Sequence, residues 1–445
     1  MIDAPLWVGK LFGAMIGGAL VFLAYLVRLK TRAWLTPASV YCLLWAGFVL
    51  MPLIMAPTVP INPLSLIYIL AACVAFSVGA APLPWASAMA ANAMKPSASE
   101  VFSTPVLRFF FVAITLISFI SIGGALAAQG FSWVDLSGNL LATSAKFASM
   151  RYAEELTPTL FTQASLLSSY VATALGGFLY SCQSSSRKRL LLAVLSFAPA
   201  VMIMVSQSAK GVLFMSFAYF WGAINVCRVY NGEKGLVSVK GLKVAAKAAI
   251  VVMPLVAFSF LARGLSGSQE IGDIAEKLRY YFSSYLFAHL YAFSDWFGAY
   301  FGYSASLEYV TDGPKFGLYT FYGLFQLFGD PTPLPQGVYD EYFSVDGVFT
   351  SNIFTMYRGL LLDFGLIGSL GFMLAAGLVV HIVFFALTGS DRPRFAVSAY
   401  VVMTGAFVHS FLSSLLMYNS TYATLVVIWA ILVVNDIFSS GKARL

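Results

Sequence analysis

The chain has 445 residues, 60% of them hydrophobic and 10% charged, with 26 Lys plus Arg against 19 Asp plus Glu for a net charge of +7. A soluble globular domain carries about a quarter charged residues, so this composition, with a mean hydropathy of +0.83, excludes one and indicates an integral membrane protein. The basic excess does not itself point to nucleic acid, because in a membrane protein the distribution of Lys and Arg among loops matters more than their sum. Cys42, Cys73, Cys182 and Cys227 lie in or at the ends of apolar runs without metal-type spacing, so they read as small buried hydrophobes rather than a disulfide framework.

Apolar windows of about 20 residues predict an all-α polytopic fold with eleven membrane helices. They fall near residues 5–28, 34–56, 61–81, 105–127, 159–181, 189–205, 211–229, 243–262, 355–387, 395–416 and 421–438. The first run lacks the basic start and the small-residue cleavage site of a signal peptide, so it is expected to stay as a membrane helix. Basic clusters occur at Arg28-Lys30-Arg32, Lys95 with Arg108, Arg187-Lys188-Arg189, Arg228 to Lys247, Arg392-Arg394 and Lys442-Arg444. All fall on one side if the N-terminus is periplasmic and the C-terminus cytoplasmic, as the positive-inside rule requires. The aromatic segment 280–303 would break that pattern if it crossed. It contains Ser283, Ser284, His289, Ser294 and Asp295, costly groups to face lipid, and is expected to be an interfacial or re-entrant helix.

A single membrane domain over residues 1–445 is expected, with two long periplasmic loops, 128–158 and 263–351. Loops of this length are usually functional or disordered. Aromatics such as Tyr319, Phe321, Tyr322, Phe325, Phe328, Tyr339, Tyr342 and Phe343 argue against disorder in the second. Only Glu100, Glu233, Asp391 and Asp436 of the acids lie on the predicted cytoplasmic side, so any chemistry is expected outside.

Four cations mark outer helix ends or adjoining loops: Lys210, Arg263, Arg279 and Arg358. Such groups suit phosphate, arginine as a bidentate fork and lysine as a point charge, although boundary cations also snorkel to ordinary lipid headgroups. Arg151 in the first long loop joins them as a candidate for substrate binding. His289 and Asp295 are candidates for a general base; six residues apart on a helix they point in different directions and do not form a dyad. Asn352 and Asp363, eleven residues apart, share a face if their helix is continuous. Nothing in the spacing of the three histidines supports zinc, and no Walker loop or nucleotide fingerprint occurs; no metal or cofactor is expected.

The stretch Val348–Leu387 carries Asn352, then Asp363-Phe364-Gly365 and Gly368 opening a glycine-dotted membrane helix. This pattern resembles the bacterial oligosaccharide repeat-unit polymerases, the O-antigen polymerases of the Wzy type. A second likeness is Ser206-Gln207-Ser208-Ala209-Lys210-Gly211, similar to the Ser-Arg-Gly turn of those polymerases and of O-antigen ligases, with lysine in place of arginine. The resemblance implies an inner-membrane glycosyltransferase that moves a growing glycan from undecaprenyl pyrophosphate to a newly flipped lipid-linked repeat unit on the periplasmic side. It implies membrane lipids and the lipid-linked oligosaccharide as partners, together with a chain-length regulator and a flippase, and no nucleic acid. Under it Lys210, Arg263, Arg279 and Arg358 hold pyrophosphate, His289 or Asp295 takes the acceptor proton, and Asn352 and Asp363 position the groups around them. Two alternatives stay open. The first is a ligase-like transferase, from which the chain departs by carrying Ser351, not histidine, before Asn352; the second is a transporter of the same lipid, for which repeats and midplane polar groups are the usual sign.

Overall fold

The computed structural model describes residues 6–153, 155–236, 250, 253–257, 260, 271–303, 307–329, 332, 334 and 337–440. It is an all-α membrane protein. Among the described residues seven helices are long and apolar enough to cross a bilayer: α1 (Leu6–Thr31), α2 (Pro37–Met55), α6 (Pro105–Ala128), α10 (Ser186–Gln207), α11 (Lys210–Tyr230), α15 (Thr355–Gly389) and α17 (Asn419–Ser440). Between them lie α3 (Pro63–Val78), α4 (Trp85–Asn92), α5 (Ala98–Phe102), α7 (Trp133–Gly138), α8 (Leu140–Tyr152), α9 (Leu160–Ser181), α12 (Ile271–Leu286), α13 (Ala288–Tyr300), α14 (Leu318–Leu327) and α16 (Arg394–His409). The sheet among these residues is a hairpin, β1 (Phe343–Val345) antiparallel to β2 (Phe349–Ser351). The helix expected at 243–262 lies largely outside the described residues. The one expected at 395–416 ends earlier, at His409, and a 3-10 turn at Leu415–Met417 follows it.

The contacts sort into two compact units where the sequence suggested one domain. The first comprises Met1–Met89, Ala275–Ala386 and Ala406–Asn419. Here α1 packs on α2 through Gly13 and Gly17, spaced four apart on one face with Gly9, which faces Ile61 beyond the end of α2. A Cβ at Gly13 would lie 2.6 Å from the Leu53 side chain, so any larger residue would part the helices. The segment expected as one interfacial or re-entrant helix at 280–303 is two helices, α12 and α13, separated at Phe287. In α13, Leu290, Tyr291, Phe293 and Trp296 are all buried. Ala288 and Ala292 are buried with them, and most of the helix is apolar, a composition that suits the inside of a unit.

The longest helix, α15, is broken at Gly365, whose φ of 66° and ψ of −175° are accessible to glycine and costly for residues with a Cβ. Before the break Tyr357, Leu360, Leu361 and Leu362 are buried; after it Leu366 is 41% and Ile367 85% exposed. A first part threads the protein core and a second, about 36 Å long at 1.5 Å per residue, presents an apolar surface outward.

The second unit comprises Ala90–Ile274, Leu387–Gly405 and Ser420–Leu445. Its centre is α9, buried continuously from Ser168 to Leu179. The hydroxyls of this helix turn back on its own carbonyls, Ser169 Oγ to Ser165 O at 2.6 Å and Ser168 Oγ to Ala164 O at 2.5 Å, which satisfies them without neighbours. The first long loop is helical, as α7 and α8.

Candidate functional site

Arg358 lies at the end of the first turn of α15 and is 0% exposed. Isolated guanidinium groups rarely reach such burial. Its Nη2 donates to Glu341 Oε1 at 2.7 Å, and the same oxygen accepts from the Val310 N–H at 2.8 Å. Four rings surround the guanidinium carbon, with centroids at 3.9 Å for Tyr339, 4.3 Å for Phe354, 5.3 Å for Trp296 and 5.6 Å for Tyr309. Tyr339 is itself stacked on Tyr319, centroids 5.5 Å apart, and Gly359 allows the approach, since a Cβ there would lie 3.1 Å from Tyr319 Cβ.

Among the described residues Arg358 Nε and Nη1 are buried and meet no hydrogen-bond acceptor. Each unmatched buried donor costs about 1–3 kcal/mol. A desolvated cation over an aromatic face returns about 2 kcal/mol. The rings can therefore hold the charge in place, and the two nitrogens still call for acceptor oxygens. The rim is acidic: Glu341 completes the ion pair, and Tyr309 Oη donates to Asp295 Oδ2 at 2.7 Å. Burial raises the Glu341 carboxyl, but its hydrogen bonds from Arg358 and Val310 and the guanidinium charge outweigh this and hold it below its ordinary value. A buried fork with open donors, flat apolar faces and rim carboxylates suits a ligand bearing both anionic oxygens and sugar-like faces.

Asp363, five residues on, is equally buried and fully engaged. Its Oδ1 accepts from Tyr319 N at 3.0 Å and its Oδ2 from Thr320 N and Thr320 Oγ1 at 2.7 and 2.6 Å. Helix α14 starts after Gly317, which has no side chain to cap it, so Asp363 supplies the cap from another element. The helix starts near residue 355 as the apolar window predicts, so the continuous helix that would put Asn352 and Asp363 on one face is not formed. β2 ends at Ser351, and Thr355, the first residue of α15, takes a positive φ of 67°; Asn352, in the intervening loop, packs its amide against Gly337.

Pro52 accounts for the place of His289. A proline inside α2 has no N–H for the carbonyl four residues earlier, that of Phe48, and His289 Nε2 meets this oxygen at 3.1 Å. The ring is 0% exposed and edges Phe48 and Phe411. His381 and His409 also engage backbone: Ala38 N donates to His381 Nε2 at 3.3 Å, and His409 Nδ1 lies 3.1 Å from Ser413 O. Of the two base candidates, Asp295 belongs to the Arg358 cluster through Tyr309, whereas His289 serves the α2 backbone.

The other predicted cations are dispersed. Arg279 is exposed on α12, and Arg263 lies outside the described residues. In the second unit Ser208 takes a left-handed φ of 53°, which turns α10 directly into α11. Lys210 opens α11 with Nζ 3.4 Å from the Phe260 ring centroid, and Ser208 Oγ lies 2.8 Å from Ser144 Oγ of α8. Arg151, half-buried, lies over Phe147 at 5.6 Å. Glu341, Tyr309 and Trp296 are members of the site that sequence reasoning missed. Aromatic density flagged the loop around them, but nothing in the spacing marks Glu341 over its neighbour Asp340. Comparison of the chain with family models, with curated proteins and with solved structures finds no match.

Proposed function

We propose that the chain is a multi-pass glycosyltransferase of the bacterial inner membrane that polymerises undecaprenyl-pyrophosphate-linked oligosaccharide repeat units on the periplasmic side. In this reading it has eleven spans, a periplasmic N-terminus and a cytoplasmic C-terminus. One observation carries it: Arg358, fully buried at the mouth of an apolar helix, has two guanidinium nitrogens without acceptors among the described residues, inside a box of aromatic rings. The Asn352 and Asp363-Phe364-Gly365 pattern supports the same reading.

The pyrophosphate oxygens fill the open Nε and Nη1 positions, and the rings offer flat faces to the adjoining sugar. An acceptor hydroxyl oxygen attacks the anomeric carbon and the bond from that carbon to the phosphate oxygen breaks. The electron pair stays on the departing pyrophosphate, where Arg358 stabilises it, and the hydroxyl proton passes to a carboxylate. Asp295, at the rim, is the base in this scheme. Glu341 positions the guanidinium.

The test is elongation of a purified lipid-pyrophosphate repeat unit by the reconstituted protein, with product length resolved on gels. The wild type should form a ladder. Arg358→Met should lose it by about 100-fold or more, as removal of a single well-placed transition-state donor does, while its thermal unfolding stays near wild type. A full ladder from Arg358→Met overturns the role of the site. Movement of the cognate lipid between leaflets without elongation overturns the polymerase in favour of a transporter, and products that appear only when lipid A-core is supplied favour a ligase.

A further inference from the structure

The segment Phe316–Gly329 contains no charged residue, and its two ends are among the most exposed large apolar positions of the described residues: Phe316 is 77%, Leu327 63% and Phe328 89% exposed. The helix within it, α14, cannot shift to hide them, because its first two turns are anchored. Thr320 is buried there, Ser414 Oγ donates to Thr320 O at 3.1 Å, and a Cβ on Gly323 would lie 2.5 Å from Asn419 Oδ1.

The segment is tied to the outward-facing part of α15. Phe316 N donates to Asp363 O at 3.1 Å, Phe321 meets the Phe372 ring at 5.8 Å, and Phe372 is stacked on Phe364 at 5.4 Å. Phe372 lies six residues past Leu366, about 9 Å along a helix axis, where α15 is already presenting Ile367 and, further on, Val379 (59% exposed) to its surroundings. The exposed ends of the segment therefore continue the lipid-facing surface of a spanning helix. Backbone at that depth must have its polar groups satisfied. The Asp363 carboxylate does this at the N-terminus of α14, and at the C-terminus the N–H of Phe328 turns back to Leu324 O at 3.1 Å.

We infer that Phe316–Phe328 is inserted into the bilayer beside α15, with lipid acyl chains covering its exposed ends. The inference stands apart from the glycosyl-transfer reading. Asp363 thereby holds a short non-spanning helix at membrane depth, a role that α13, buried within the protein, does not fill.

A nitroxide placed at Phe328→Cys and, separately, at Phe316→Cys in the full chain tests this in phosphatidylcholine and phosphatidylglycerol vesicles. Cys42, Cys73 and Cys227 are buried and Cys182 is half-buried, and labelling of the unsubstituted chain sets the background. Neither phenylalanine is buried, so the variants remove little packing. Both labels should be relaxed more by oxygen, which partitions into hydrocarbon, than by a water-soluble nickel chelate, the reverse of a label at Asp346→Cys on the exposed hairpin turn. Nickel-dominated relaxation at both sites would place the segment in water. Shielding from both reagents would mean that protein covers it. Either result overturns the inference.

Discussion

Two buried charges on α15 stand five residues apart and behave oppositely. Asp363 accepts three hydrogen bonds that fasten α14 to the break at Gly365. Arg358 uses one nitrogen on Glu341 and leaves two without acceptors among the described residues. Burial alone does not separate them, since both are 0% exposed. The difference lies in satisfaction: a buried charge with every partner in place acts as a joint, and one with donors left over suits the ligand site proposed above. Catalysis requires donors aimed at charge that arrives later, and such donors are unsatisfied until then.

The contrast breaks first on stability. Asp363→Ala strips three hydrogen bonds to a charged acceptor and leaves two helix N-terminal amides unpaired, an expected loss of roughly 3–5 kcal/mol in detergent-solubilised unfolding, with Asp363→Asn losing less. Arg358→Met replaces an open charge with an apolar chain of similar length. Removing one partner of a fully buried pair costs about 3–5 kcal/mol by stranding the other, but Glu341, 15% exposed at its side chain, keeps contact with water, so the loss should be the smaller of the two. Equal destabilisation by the two variants would erase the distinction between joint and site.

A smaller effect sharpens the same distinction at His289. Its loss as His289→Ala should cost about 1–3 kcal/mol by stranding the Phe48 carbonyl. Pro52→Ala restores an N–H four residues after Phe48, so the cost of His289→Ala should shrink in that background, with a coupling of about 1 kcal/mol. Additive single and double variants would show that the histidine does not serve that carbonyl.

The smallest expected effect is the pH dependence of Glu341. Its folded carboxyl lies below its ordinary value, so its contribution is complete above the unfolded value near 4.3 and is lost as pH falls through the lower folded value. Wild type should lose stability below about pH 4 more steeply than Glu341→Gln. Identical acid limbs for the two proteins would detach Glu341 from the guanidinium.

Much of the helical frame was legible in the sequence, because an apolar run about 20 residues long has few alternatives once water is excluded. Observed helices such as Pro37–Met55, Pro105–Ala128 and Leu160–Ser181 follow the predicted windows closely. The windows failed where short helices obey packing instead. α13 is aromatic enough to resemble an interfacial segment and is buried, while the exposed helix, α14, was hidden inside a loop reading. The shared face that a continuous helix would have given Asn352 and Asp363 was lost at Thr355, a β-branched residue that nothing marks for a left-handed conformation.

By itself the sequence determined that this is an α-helical membrane protein, and it singled out Arg358, Asp363 and Asp295 as groups worth following. Tertiary structure alone decided what each does, because the partners are distant along the chain. Thr320 stands 43 residues from Asp363, Glu341 17 from Arg358 and Phe48 241 from His289. Hydropathy is a property of neighbours in sequence, whereas the satisfaction of a buried polar group depends on which remote backbone or side chain the fold brings within 3 Å of it.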